Sequence, residues 1–174
     1  MKITLFLSLF FFFITNVYSD ECISGNCTDG FGTYVWDNGD RYVGENVNNM
    51  CHGLGTYYYS NGDQYTGEWI NNVTHGTGTF TWRSGEFSGD KYVGQWFNDK
   101  KQGKGTYYFS NGDILVGEWQ DNQVSGDGAL IYENGDVYVG EFKNSLKHGQ
   151  GKAFYNDGSL LHVGKWRNGE PLTN

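Results

Sequence analysis

The sequence predicts an all-β protein, an elongated twisted ribbon of consecutive antiparallel β-hairpin repeats forming an open sheet. Three observations lead to this class. The 174 residues hold 27 glycines, a single proline and 18% aromatic residues, a composition far from that of helical or mixed domains. A glycine-aromatic motif returns at a period of 23 residues. Within each copy, glycine or a ring alternates with polar residues, as in Gly76-x-Gly78-x-Phe80-x-Trp82 with Thr77, Thr79 and Thr81 between, which is the period of a strand.

The opening of each copy is the first element. Tyr42-Val-Gly-Glu is followed by Tyr65-Thr-Gly-Glu-Trp, Tyr92-Val-Gly-Gln-Trp, Leu115-Val-Gly-Glu-Trp and Tyr138-Val-Gly-Glu-Phe, and His162-Val-Gly-Lys-Trp begins a closing half-copy. Tyr65, Gly67 and Trp69 share one strand face; Thr66 and Glu68 take the other. The second strand carries a Gly-x-Gly pair, as at Gly53/Gly55, Gly76/Gly78, Gly103/Gly105, Gly126/Gly128 and Gly149/Gly151, with Gly30/Gly32 from an opening half-copy. A ring can lie over a glycine on the next strand because no side chain blocks it.

Turns separate the strands. Asn38-Gly39-Asp40, Asn61-Gly62-Asp63, Asn111-Gly112-Asp113, Asn134-Gly135-Asp136 and the variant Asp157-Gly158-Ser159 supply residues that tolerate positive φ, as a tight hairpin requires. Polar pairs such as Asn71-Asn72, Asp99-Lys100 and Asp121-Asn122 mark the other turn. Arg83 to Asp90 carries a four-residue insertion, expected to enlarge one turn and leave the strands alone. The spacing gives a half-repeat with cysteines at 20–41, five repeats at 42–64, 65–91, 92–114, 115–137 and 138–161, and a half-repeat at 162–174. About 12 strands at about 4.8 Å would make a sheet roughly 55 Å long. One hairpin is marginal alone, so stability is expected from repeat-to-repeat burial of rings.

Residues 1–19 differ in character. Lys2 precedes the apolar run Ile3 to Val17, and Val17-Tyr18-Ser19 offers a small residue for cleavage, so a signal peptide is expected, with Asp20 as the first mature residue. The rival, a retained membrane anchor, needs about 20 apolar residues. Cleavage would remove one of the 12 lysines and arginines and none of the 20 acids, taking the formal charge from −8 to −9. That balance argues against nucleic acid and disfavours anionic membranes, both of which require basic patches. A secreted or lumenal location follows as an expectation. Cys22, Cys27 and Cys51 allow one bridge and one leftover thiol. Cys27–Cys51 is the pairing put forward, with Cys22–Cys27 and Cys22–Cys51 open. Asn26 and Asn72 begin glycosylation sequons.

The unit that begins Tyr65-Thr-Gly-Glu-Trp and runs through His75-Gly-Thr-Gly-Thr-Phe-Thr-Trp resembles the MORN (membrane occupation and recognition nexus) repeat almost position for position, and the resemblance covers residues 30–169. It implies a hairpin ribbon with an aromatic groove, acting as a scaffold, dimerisation module, peptide-binding surface or membrane tether. The kinase or methyltransferase domain of some relatives is not expected here, because the repeats fill the sequence, and the expected leader would set this chain apart from most of them.

The candidate binding face is the aromatic row, represented by Trp36, Tyr59, Trp69, Trp82, Trp96, Phe109, Trp119, Tyr132, Phe142 and Trp166, with plain core packing as the competing role of any one ring. Tyr58 and Tyr108 are expected to lie exposed on the opposite face. The ladder Glu45, Glu68, Gln95, Glu118 and Glu141 repeats one group at every rung, whereas an active site needs different groups at one place. His52, His75 and His148 share one repeat position, which argues against a dedicated metal site. No nucleophile elbow, phosphate loop or zinc motif occurs, so neither catalysis nor a cofactor is expected. The expected role is a secreted protein-binding or scaffolding module, with a homodimer through unpaired terminal strands as one arrangement. The alternative is a carbohydrate- or cell-surface-binding module, and the third is peripheral phosphoinositide binding.

Overall fold

The computed structural model describes residues 20–172; the expected leader, residues 1–19, lies outside them. All the regular structure described is strand: β1 (Glu21–Gly25), β2 (Gly30–Val35), β3 (Arg41–Val47), β4 (Met50–Tyr58), β5 (Gln64–Ile70), β6 (Val73–Thr81), β7 (Lys91–Phe97), β8 (Lys100–Tyr108), β9 (Ile114–Gln120), β10 (Gln123–Ile131), β11 (Val137–Lys143), β12 (Leu146–Phe154), β13 (Leu160–Arg167) and β14 (Glu170–Pro171). They form one open antiparallel sheet in chain order. Two short end strands, β1 and β14, extend the expected twelve to fourteen.

The two turn classes have the opposite geometries from those the sequence suggested. The tight two-residue turns are the polar pairs: Asn48-Asn49, Asn71-Asn72, Asn98-Asp99, Asp121-Asn122 and Asn144-Ser145 all have positive φ at both residues, the geometry that matches strand twist. The third pair is therefore Asn98-Asp99 rather than Asp99-Lys100, and Lys100 opens β8. In the Asn-Gly-Asp turns only the glycine has positive φ. Trp36 N–H donates to Asp40 O and Gly39 N–H to Trp36 O, each at 3.0 Å, closing a wider loop. The insertion enlarges one of these: Trp82 N–H still donates to Asp90 O at 3.0 Å, with the strands on either side intact.

Both edges of the ribbon are laced between copies. On one edge the second turn residue reaches back to the copy before: Asn72 N–H donates to Cys51 O at 3.0 Å, and Asn72 Oδ1 accepts from Cys51 N–H at 2.8 Å. The pattern returns at Asp99 with Thr74 and at Asn122 with Lys101. On the other edge each turn aspartate accepts from the next turn, Asp40 from Ser60 N–H and Asp63 from Arg83 N–H, each at 2.7 Å. Otherwise unpaired N–H groups are thereby satisfied, which is why Asn and Asp recur at these positions.

Rings over glycines build the core, as expected. Tyr42, Tyr65, Tyr92 and Tyr138 are fully buried, and a Cβ at Gly44 or Gly55 would overlap the Tyr42 phenol. The hydroxyl has a second task. Each second strand bulges at the first glycine of its pair, between Gly44↔Gly55 and Asn46↔Cys51 in the first copy, and a bulge strands backbone groups. Tyr42 Oη donates to Glu45 O at 2.8 Å and contacts His52 O at 3.2 Å. The Glu or Gln that follows accepts from the bulged N–H groups: Glu68 from Thr77 at 2.7 Å, Gln95 from Lys104 at 2.9 Å and Glu141 from Gln150 at 2.8 Å. The backbone bond from Thr77, then its hydroxyl, holds the Glu68 carboxyl below the usual range. The repeated Tyr-x-Gly-Glu is a device for capping a bulge.

The disulfide joins Cys22 and Cys27, whose Cα atoms are 5.9 Å apart; the Cys27–Cys51 pairing does not form. Thr28, not Cys27, holds the position equivalent to Cys51, since Asn49 N–H donates to Thr28 O as Asn72 does to Cys51 O. Cys27 stands one residue earlier, in the loop that folds back beside β1. Cys51 is a free, buried thiol that burial pushes up to about 12. Tyr58 and Tyr108 are half-buried rather than exposed, because Arg41 lies 4.1 Å over one ring and Lys91 4.3 Å over the other.

Candidate functional site: an aromatic ladder and its cationic inserts

The ring face separates into two rows. The first row comes from the odd-numbered strands and is core. Trp69, Trp96, Trp119, Phe142 and Trp166 are 3–7% exposed. They stand edge-on to the buried tyrosines, Trp69 at 5.0 Å from Tyr65 and Trp119 at 5.1 Å from Tyr92, in the favoured geometry for ring pairs. Three of the indoles tie successive copies together: Trp69 Nε1–H donates to Gly55 O at 3.3 Å, Trp96 to Gly78 O at 3.2 Å and Trp119 to Gly105 O at 3.1 Å.

The second row lies at the ends of the even-numbered strands and beyond, and it is open. Trp36, Tyr59, Trp82 and Tyr132 are half-buried and Phe109 is 36% exposed. Trp36, Tyr59, Trp82 and Phe109 join Tyr34, Tyr57, Phe80 and the buried Tyr107 in an unbroken staircase. Centroids step 4.8 Å from Tyr34 to Trp36, 5.1 to Tyr57, 4.6 to Tyr59, 5.6 to Phe80, 4.5 to Trp82, 5.4 to Tyr107 and 4.7 to Phe109. Leu130 then replaces a ring, and Tyr132 stands beyond the break. Of the ten residues chosen from sequence, the structure sets five in this open row and five in the wall behind it.

Two lysines belong to the site and were missed. Lys101 Nζ lies within 4.6 Å of the Tyr107 centroid, 4.7 Å of Trp119, 5.5 Å of Trp82 and 5.6 Å of Tyr92, a cation held by four rings. Burial lowers its pKa to about 8, opposed by Asp90. Asp90 is itself buried and accepts from Tyr107 Oη. Lys147 Nζ repeats the arrangement at 4.5 Å from Trp166, 5.6 Å from Tyr132 and 5.7 Å from Tyr138, donating to Tyr132 Oη at 3.0 Å. Lys101 pairs in register with Trp96 and therefore shares its face.

Elsewhere, His52 and His75 share a hollow with Glu45 and Glu68, whose carboxylates cap bulges. Among the described residues no three His, Cys, Asp or Glu side chains gather as metal ligands. Both sequon asparagines are exposed and engaged in turns: Asn26 Nδ2 donates to Asp29 O at 2.8 Å, and Asn72 Oδ1 serves Cys51.

An open, single-sheet array of hairpins with a ring face defines the class of protein. The MORN repeat model matches residues 28–41, 42–64, 65–90, 92–114, 116–137 and 138–160, and the chain belongs to the MORN-repeat family. No curated protein matches it. Among solved structures it shares its fold with the TCP domain of SAS-4 (dCPAP) from Drosophila melanogaster, determined in complex with a proline-rich motif of Ana2 (dSTIL). The TM-score is 0.51 at 15% identity, covering 94% of this chain and 88% of that one.

Proposed function

We propose that the chain is a non-enzymatic protein-binding module of the secretory route, which takes an extended peptide segment along the staircase from Tyr34 to Phe109. The carrying observation is the continuity of rings from the opening half-copy through three full copies, each within 5.6 Å of the next and all but the buried Tyr107 half-exposed or exposed. Contiguous exposed aromatic surface marks interaction sites. An extended segment fits a stepped ring row better than a helix does, because its side chains repeat at short spacing, and a polyproline II segment is already ordered before binding. The proline-rich motif bound to the SAS-4 domain supports the same choice. The apolar leader at residues 1–19 and the Cys22–Cys27 bridge support the secretory assignment.

Peptide display against residues 20–174 tests the reading. Selected peptides are expected to be extended and proline-rich, and Tyr59→Ala or Trp82→Ala is expected to weaken them at least tenfold, the usual cost of losing an interface hot spot. Val139→Ala, on the opposite face and 50% exposed, should leave affinity unchanged. Equal loss with all three variants, or with none, contradicts the assignment.

A further inference from the structure

The repeat position occupied by Lys101 varies along the array, being Cys51, Thr74, Lys101, Val124 and Lys147 in turn. Its cross-strand partner also varies, being Asn46, Trp69, Trp96, Trp119 and Phe142 in turn. In the first copy alone both residues are small. A cavity of about 590 Å³ results, lined by Tyr34, Trp36, Tyr57 and Trp69, by both Cys27 and Cys51, and by the amide side chains of Asn46, Asn49 and Asn72.

The rings around it reproduce the Lys101 cage. Trp36 and Tyr57 are 5.1 Å apart at 33°, where Trp82 and Tyr107 are 5.4 Å apart at 40°. Tyr57 and Trp69 are 5.9 Å apart at 36°, against 6.0 Å and 31° for Tyr107 and Trp119. Tyr42 meets Trp69 at 5.6 Å and 82°, against 5.1 Å and 77° for Tyr92 and Trp119. The carboxylate behind the phenol recurs as well, since Tyr57 Oη donates to Asp40 at 2.8 Å as Tyr107 does to Asp90. The first copy therefore has the walls of a cation cage without the cation.

We infer that the cavity beside Cys51 is a binding site for an ammonium group, and that its occupant is a lysine side chain of a bound partner. The third and fifth copies show the fit directly, because there the chain's own lysines occupy the equivalent space. Ring faces attract a desolvated cation, Asn46, whose Nδ2 donates to Gly30 O and Gly44 O, brings its amide oxygen as an acceptor for an ammonium N–H, and the chain's formal charge of −8 favours the approach of a cationic segment. This deepens the proposed peptide-binding reading and rests on it, since the cavity lies at the Tyr34–Tyr57 end of the staircase.

The test is a titration of residues 20–174 with Nα-acetyl-lysine methylamide, followed by the indole N–H shifts of the tryptophans. Saturable shifts are expected at Trp36 and Trp69 and not at Trp166. The neutral Nε-acetyl analogue should bind at least tenfold more weakly. Cys51→Lys should fill the cage from within and abolish the response; Trp36→Leu, at a half-exposed ring, should weaken it at least fivefold, with circular dichroism confirming that each variant is folded. Equal binding of the neutral analogue, undiminished binding to folded Cys51→Lys, or saturation by choline without response to the lysine compound overturns the inference. If the lysine compound fails while display peptides still depend on Trp82, this inference alone falls and the staircase reading stands.

Discussion

The third and fourth copies run through nearly the same backbone with different interiors. In the third, Tyr92 is fully buried, donates to Gln95 O at 3.1 Å and fills the space over Gly94 and Gly105. Lys101 sits above it among rings. In the fourth, Leu115 replaces the tyrosine, and Val124, fully buried, projects into the space over Gly117. Gln95 caps its bulge through Lys104 N–H, whereas nothing approaches the Cβ position of Gly126, and the bulge glycine keeps its positive φ without that support. The hairpin, its register and its glycine pair survive the change. A ring at every position is thus more than the fold requires. The unbroken staircase from Tyr34 to Phe109, ending where the aliphatic copy begins, is a feature of the surface as much as of the core.

Converting one interior into the other sharpens this contrast most. Tyr92→Leu alone should lower unfolding free energy by about 2 kcal/mol through lost ring burial and a lost phenol bond, measured by denaturant titration. Adding Lys101→Val should restore about 1 kcal/mol, because the valine can take the place that Val124 takes above Gly117. Strict additivity of the two changes would break the comparison.

A smaller effect concerns charge. Burial holds the Lys101 ammonium at about 8, while in the unfolded chain it titrates near 10.5. Between those values the unfolded state binds the extra proton, so stability contributed through this group rises with pH. Burial also raises the tyrosines Tyr42, Tyr65 and Tyr92; their contribution is lost as pH climbs above about 10, in any variant that keeps them. The stability of the wild type relative to Lys101→Met should therefore grow from pH 8 to pH 10. A difference that stays flat or shrinks over that interval contradicts the caged, desolvated ammonium.

Much of the architecture was legible because it depends on local rules repeated many times. Alternation placed Tyr65, Gly67 and Trp69 on one face, and the glycine pairs announced the rings above them. The turn geometries were not legible, because Asn-Gly and Asn-Asn both tolerate positive φ and only the loop length between paired strands separates them. The cysteine pairing turned on a single residue of register, with Thr28 rather than Cys27 equivalent to Cys51. The lysine cages lay further out of reach: Lys101 meets Trp82, Tyr92, Tyr107 and Trp119 across four strands or their ends, a convergence visible only once the register is known. For the same reason the ten chosen rings could not be divided into wall and surface from sequence.

The functional reading depends on this division into wall and surface, and the chain's six tryptophans report on it separately. With 5-fluorotryptophan incorporated and each ¹⁹F resonance assigned by substitution, a display-selected peptide is titrated into the protein. Trp36 and Trp82 are expected to shift most on binding, while Trp119 and Trp166 stay within the spread of a non-binding control peptide. Shifts centred on Trp119 and Trp166, with Trp36 and Trp82 unmoved, would contradict the division.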